Sequence, residues 1–308
     1  MDGRDAVRNR QGSSTGEAGV AEQFGRFVWY ELLTTDVPSA AAFYAEIVGW
    51  AVKDASSPEL AYTLLTAGAA PVVGLMDLPE EGVRMGATPR WLGYVGVDDM
   101  DATVAQVLRL GGAILVSPTD SNIGRISVVA DPQGATFALV TRLAFGPAQT
   151  SGSYQPGRVG WHELLAEDRG EVFPFYGKLL GWRQSSAEVD PASVYDLFSV
   201  AGKTIGGMLT KLPSVSHACW LHYFNVEDVG AAARRVNTGG GRVLHQPIEL
   251  PDGGWIVRCV DPQGALFALQ GAWDHKGGEK SSSPELSWSS EWGGIASRGR
   301  MVIHKTRR

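Results

Sequence analysis

The hydrophobic positions near the start of the chain change from a continuous run to a spaced pattern. Phe27 to Thr34 is an aromatic and aliphatic run of the kind that forms a strand. Asp36 follows as a candidate helix N-cap, Pro38 falls in the first turn, and Gly49 marks the helix end. This pattern predicts a strand that leads into a short helix.

More strands, a second helix and a hairpin are predicted farther along. The runs AYTLLTAG, PVVGLMDL and RWLGYVGV are rich in apolar and β-forming residues. A helix is expected from Asp99 to Leu110, closed by Gly111 and Gly112. GRISVVA and ATFALV flank DPQG, whose proline and glycine suit a type I turn and predict a hairpin. Together these elements make two βαβββ units.

The second half of the chain repeats the first. FVWYELLTTDVPSAAAFYAEIVGW returns 132 positions later as VGWHELLAEDRGEVFPFYGKLLGW, which aligns Trp29 with Trp161 and Trp50 with Trp182. WLGYVGVDDM likewise corresponds to WLHYFNVEDV, and DPQGATFALV to DPQGALFALQ. A spacing that holds over so many residues indicates one assembly used twice. The predicted fold class is α+β.

The repeat divides the chain into modules, tails and a linker. Module one covers residues 24–142 and module two residues 155–272, each with paired βαβββ units. Residues 143–154 have the glycine and proline content of an irregular linker. Residues 1–23 and 273–308 lack apolar periodicity, so disordered tails are expected there. The repeat has one deviation, Pro174, which falls inside the first helix of module two. This helix should therefore start late or kink.

The charge and composition of the chain limit the classes of partner that it can bind. The net charge is −6, and no basic block lies inside the modules, which argues against nucleic acid and anionic membrane surfaces. No apolar run approaches the roughly 20 residues of a membrane helix. The chain starts without an apolar signal segment, and its two cysteines, Cys219 and Cys259, are too few for a disulfide framework. A cytoplasmic protein is expected.

The ordered motifs resemble a known family. Both modules carry a strand followed by Asp, then FY and GW, then a strand with Trp, Tyr, Val and Asp, then DPQG. This order resembles the vicinal oxygen chelate superfamily of glyoxalases, bleomycin-resistance proteins and extradiol dioxygenases, in particular tandem-module bacterial proteins related to lactoylglutathione lyase. The resemblance implies that each module curls into a cupped mixed sheet around a cavity for a small-molecule ligand or substrate. It also implies either a monomer, in which the two modules replace the two subunits of single-module relatives, or a homodimer.

The resemblance also locates the positions where metal-dependent members hold their ion. Counted from the shared Asp landmarks, these positions fall on residues without a donor for a divalent ion: Trp29, Leu92 and Ala138, and Trp161, Leu221 and Ala268. No metal and no other cofactor is therefore predicted. His162 and His222 lie one residue from such positions and should face away from the cavity. A single site built from His217, His222 or His245 stays open as the less favoured alternative.

On the sheet face where metal-dependent relatives hold their ion, each module carries a carboxylate. Along the first strand Glu31 and Glu163 lie between apolar neighbours, and we take them as candidate catalytic acids or bases. The alternative is that each glutamate accepts hydrogen bonds and holds the strands together. Four aromatic residues on the same side are candidate ligand-binding residues: Trp29, Tyr94, Trp161 and Tyr223. Arg125 and Arg258 flank the hairpins and could reach a carboxylate ligand, but exposed arginines are expected.

Two hypotheses of function follow. The first is a metal-free lyase or isomerase of glyoxalase-like type that acts on a small aromatic or hydrophobic molecule, with Glu31 or Glu163 as acid or base. The second is a non-catalytic protein, similar to the bleomycin-resistance proteins, that sequesters such a molecule between tryptophan and tyrosine walls. The two hypotheses differ in whether turnover depends on the carboxylates.

Overall fold

The computed structural model describes residues 23–84, 86–144, 154–184, 195–211, 215–250 and 253–273. The tails expected at both ends fall outside these residues, apart from Gln23 and Trp273, and so does most of the expected linker. Within the described ranges no helix is long and apolar enough to cross a membrane.

Module one forms one mixed sheet of eight strands. The first unit contains β1 (Phe27–Thr34), α1 (Val37–Val48), β2 (Ala51–Asp54), β3 (Thr63–Ala67) and β4 (Ala70–Asp77), followed by the short helix α2 (Glu80–Arg84). The second unit contains β5 (Arg90–Gly96), α3 (Met100–Arg109), β6 (Ala113–Ser121), β7 (Gly124–Ala130) and β8 (Thr136–Thr141). The strand order β2-β3-β4-β1-β5-β8-β7-β6 places the first strands of the two units side by side at the centre.

Module two repeats this arrangement in a sheet of nine strands. Its first unit contains β9 (Val159–Ala166), α4 (Arg169–Leu180), β10 (Arg183–Gln184), β11 (Tyr195–Val200) and β12 (Lys203–Thr210). Its second unit contains β13 (Cys219–Asp228), α5 (Val229–Thr238), β14 (Arg242–Val243), β15 (Ile248–Glu249), β16 (Trp255–Val260) and β17 (Leu266–Ala272). The order is β10-β11-β12-β9-β13-β17-β16-β14, with β15 paired to β16. The predicted α+β fold with two tandem modules of paired units is confirmed.

The predicted helix ends are those of the structure. Asp36 caps α1 by accepting a hydrogen bond from the Ser39 amide, and Gly49 ends the helix in the left-handed conformation. Of the two expectations for α4, a late start or a kink, the late start is wrong, because Asp168 accepts from the amides of Gly170 and Glu171 and the helix begins at Arg169. Pro174 lies inside the continuous helix, where it removes only one backbone hydrogen bond.

The shared motifs join the two modules to each other. Tyr44 of α1 donates to Asp261 in the second DPQG turn, 3.1 Å away, and Tyr176 of α4 donates to Asp131 in the first, 2.9 Å away. The indole nitrogens of Trp50 and Trp182 donate to backbone carbonyls of the opposite module. One hydrophobic core therefore contains helices and strands of both modules. This core lies on one face of each sheet. The opposite face of each sheet forms a separate cup.

Candidate functional site

Strand register brings the predicted aromatic residues together in each cup. In module two Trp161 pairs with Tyr223, Tyr223 with Ala268, and Ala268 with Arg258, in one row across four strands. The equivalent row of module one contains Trp29, Tyr94, Ala138 and Val128. Because all residues of a row lie on the same face of a sheet, each predicted Trp and Tyr pair lines one cup. The rows differ chiefly at their last position, where module two has an arginine and module one a valine.

Glu31 of module one is buried between tyrosines. Its Oε1 accepts from the Tyr62 hydroxyl at 2.5 Å, and its Oε2 accepts from the Tyr94 hydroxyl. The Trp29 indole in turn donates to the Tyr62 oxygen at 3.1 Å. Burial raises the pKa of Glu31, while the hydrogen bonds from Tyr62, Tyr94 and Trp29 oppose that shift. Within the described ranges no cationic side chain pairs with this carboxyl.

Gly74 has no side chain, and this leaves space for Tyr62. Gly74 pairs with Glu31 on the neighbouring strand, and a Cβ at this glycine would lie 1.9 Å from the Tyr62 hydroxyl. In module two Gly207 pairs with Glu163, and a Cβ there would lie 2.2 Å from the Tyr195 ring. Neither tyrosine was among the residues predicted from the sequence. The available signal was that each precedes or begins a β-rich run at nearly the repeat spacing, in AYTLL and VYDLF.

Glu163 of module two is held by a cation. The Nε and Nη2 atoms of Arg258 lie 3.1 and 2.8 Å from Oε2 of Glu163, and the Tyr223 hydroxyl donates to the same oxygen at 2.9 Å. Burial alone would lower the pKa of Arg258, but the carboxylate beside it raises the pKa on balance. The expectation that Arg258 is exposed is wrong, because the alternation along β16 turns it toward Glu163 inside the cup. Arg125 is partly exposed and pairs with Asp101 at 3.0 Å.

The histidines lie apart from both cups or behind their walls. His162 and His222 are buried in the core shared by the modules, on the sheet face opposite the glutamates, as strand alternation predicts. His217 is exposed, and His245 accepts from the backbone amide of Arg258 at 3.2 Å. No group of three or more His, Cys, Asp or Glu residues in the described part of the chain is arranged to hold a metal ion.

The residues at the metal positions of the superfamily do not fit a metal. In module two these positions are Trp161, Leu221 and Ala268, whose side chains are an indole, an isobutyl group and a methyl group. Divalent ions need three or four nitrogen, oxygen or sulfur donors in defined geometry. The donor set therefore disagrees with a divalent centre at this place in either module.

The two cups differ in how open they are. Trp29 and Tyr62 are buried in module one, where Leu92, Tyr94 and Ile123 pack around them. In module two Trp161 and Tyr195 are partly exposed, with the Trp161 indole donating to the Tyr195 hydroxyl at 2.9 Å. Trp161 and Tyr195 of module two are therefore more accessible to solvent than Trp29 and Tyr62 of module one.

Comparisons with known proteins agree with this architecture. The model of a glyoxalase-like domain matches residues 29–140, and that of the glyoxalase/bleomycin resistance protein/dioxygenase superfamily matches residues 158–269. A Mycobacterium bovis protein named "Putative glyoxylase CFP32" is 31% identical over 246 residues, which cover 78% of this chain and 92% of that protein. The chain belongs to the glyoxalase/bleomycin resistance protein/dioxygenase superfamily, which is the vicinal oxygen chelate superfamily.

Other relatives match a smaller part of the chain or have a lower sequence identity. The anthracycline biosynthesis protein DnrV of Streptomyces peucetius is 33% identical over 129 residues, or 42% of this chain and 46% of that protein. The Mn(II)-bound glyoxalase from Novosphingobium aromaticivorans has a TM-score of 0.56 at 16% identity, covering 82% of this chain and 83% of its own. A trihydroxybiphenyl dioxygenase from Sphingomonas wittichii has a TM-score of 0.56 at 15% identity, covering 81% and 91%. These structural similarities show the fold alone.

Proposed function

We propose that the chain binds a small, largely aromatic or apolar molecule in the cup of module two, without a divalent metal ion. One observation carries the proposal, namely the partly exposed Trp161 and Tyr195 above the buried pair of Glu163 and Arg258. Apolar walls with a few convergent polar groups are typical of small-molecule sites. The net charge of −6 favours such a ligand over a nucleic acid.

The walls of this cup suit a flat apolar ligand. Leu221, Tyr223, Ile256 and Ala268 form a buried cluster, and Trp161 packs against it. Aromatic rings add specific stacking energy to the burial of apolar surface. The polar atoms lie at the bottom of the cup, where they would orient a ligand rather than dominate its affinity. A relative named for anthracycline biosynthesis supports a small organic molecule as the ligand.

Replacing Trp161 with phenylalanine should weaken the binding of aromatic ligands by roughly two- to tenfold, because part of the stacking surface is lost. The measurement is isothermal titration with a panel of substituted naphthalenes, using protein treated with a chelator. Trp29→Phe is the matched control, since Trp29 is buried in the other cup and should leave the affinity unchanged. Binding that needs added Zn, Ni, Mn or Fe(II) would contradict the metal-free part of the proposal, and equal losses in both variants would contradict the choice of module two.

A lyase or isomerase remains the second candidate function, with Glu31 as the acid or base. The raised pKa of Glu31, which has phenolic donors and no pairing cation in the described part of the chain, favours it over Glu163 for proton transfer. Glu163 is neutralised by Arg258 and suits ligand anchoring better. Once a substrate is found, Glu31→Gln should abolish turnover and spare binding if this candidate is correct, with Glu163→Gln as the comparison. Unchanged turnover in both variants would contradict the acid or base role of the glutamates.

A further inference from the structure

One polar atom at the base of the module two cup is left without a partner. Arg258 is 2% exposed, and its Nη1 atom has no hydrogen-bond partner among the described residues. Buried donors are almost always paired, and an unpaired donor on a charged group costs more than a neutral one. Such an atom beside a ligand cup indicates a bond that forms when the ligand is present.

Two nitrogens of this guanidinium already donate hydrogen bonds. Nε and Nη2 both donate to Oε2 of Glu163, which also accepts from Tyr223. Charge is therefore balanced within the pair, while the two N–H groups of Nη1 stay without a partner among the described residues. The cross-strand neighbour of Arg258 is Ala268, one of the positions at which the resemblance places a metal ligand. A fixed positive charge thus lies beside the place where metal-dependent relatives hold their ion.

We infer that Nη1 of Arg258 donates a hydrogen bond to the carbonyl oxygen of a neutral aromatic ketone, aldehyde or quinone bound in module two. This inference rests on the proposed function and names the ligand class. A neutral carbonyl fits better than a carboxylate, because Glu163 already neutralises the arginine and would repel a second anion. Module one has Val128 at the equivalent position and offers no such donor.

Three naphthalenes of nearly the same shape test the inference. 2-Acetylnaphthalene carries the carbonyl, 2-ethylnaphthalene lacks it, and 2-naphthoate replaces it with an anion. The ketone is expected to bind at least about tenfold more tightly than the hydrocarbon, since a hydrogen bond from a charged donor replaces an unpaired one. The infrared band of the isotope-labelled carbonyl should shift to lower frequency on binding. Naphthoate is expected to bind more weakly than the ketone.

A double variant assigns the preference to the arginine. Glu163→Gln with Arg258→Met removes the pair without leaving a lone buried charge, so the fold is retained and the ketone should bind no better than the hydrocarbon. Arg125→Lys alters a partly exposed arginine of module one and should change nothing. Equal affinities for ketone and hydrocarbon, an unshifted carbonyl band, or tighter binding of naphthoate would overturn the carbonyl assignment alone. Failure of all three to bind would overturn it together with the proposed binding function.

Discussion

Replacing Arg258 with methionine is expected to lower the free energy of unfolding by about 3 to 5 kcal/mol, because a buried carboxylate then loses its cation. Glu163 is 1% exposed, and the two nitrogens of Arg258 supply two of the three hydrogen bonds that reach its Oε2. Methionine fills much of the space of the arginine stem but cannot compensate the charge. The variant leaves Tyr223 as the one remaining donor to that oxygen among the described residues.

Urea denaturation followed by tryptophan fluorescence measures this loss. Arg125→Met is the matched control, since it breaks a partly exposed pair with Asp101 and should cost only about 0 to 1 kcal/mol. Adding Glu163→Gln to Arg258→Met should restore most of the stability, because no uncompensated charge remains. A single variant as stable as the parent would contradict the idea that Glu163 needs the cation of Arg258 to stay buried. A double variant no better than the single one would trace the loss to packing.

The fold and the face of the site could be predicted because they depend on local rules. Strand alternation puts Trp29 and Glu31 on one side of β1, and the same rule turns His162 to the other side of β9. Helix ends were predictable because Asp36 and Gly49 act through their own backbone neighbours. The repeat then doubled each of these signals. Strand alternation and helix capping both act between residues a few positions apart along the chain.

The partners of the two glutamates could not be predicted because they come from distant segments. Tyr62 reaches Glu31 from just before β3, over a glycine on a third strand. Arg258 lies on β16, which two other strands separate from β9, so its contact with Glu163 depends on sheet curvature and side-chain length. The role of the FY and DPQG motifs in joining the modules was likewise invisible, since no rule of spacing identifies which module a turn will face.

The duplication also shows how two similar cups acquired different chemistry. Each retains the Trp, Glu and Tyr of the first and fifth strand positions, but one substitution separates their electrostatics, Val128 in module one against Arg258 in module two. Glu31 accordingly has a raised pKa among phenols, whereas Glu163 forms an ion pair. The closed cup holds the carboxyl better suited to proton transfer, and the more open cup holds the polar pair better suited to binding. The environments of Glu31 and Glu163 therefore differ, although the two modules are repeats of one sequence pattern.

The buried histidines between the modules make the chain sensitive to acid. The backbone carbonyl of Ile205 only accepts hydrogen bonds, so Nδ1 of His162 donates to it at 2.7 Å and Nε2 accepts from the Tyr30 hydroxyl at 2.5 Å. His162 is therefore neutral when folded, and burial lowers its pKa from 6.5 to about 4. Burial and the neighbouring His162 lower the pKa of His222 as well. Protonation of either ring would introduce a charge with no anionic partner in the described core.

The contribution of neutral His162 to stability is expected to be full above about pH 6.5 and to fall by about 3 kcal/mol as the pH drops to about 4. This contribution falls as the pH is lowered because His162 of the unfolded chain binds a proton between pH 6.5 and pH 4, while folded His162 does not. The raised pKa values of Glu31, Asp131 and Asp261 act in the opposite direction, so the parent profile alone is a sum. The difference between a variant and the parent isolates the histidine.

His162→Gln removes the titrating group and keeps a side chain that can both donate and accept. Urea denaturation at a series of pH values should show the variant gaining about 3 kcal/mol relative to the parent between pH 6.5 and pH 4, whatever its stability at neutral pH. His217→Gln makes the same chemical change at an exposed position and is the control for the substitution itself. Parallel curves for His162→Gln as well would mean that folded His162 takes up its proton as readily as the unfolded chain does, which would require water or an anion beside the ring between the modules.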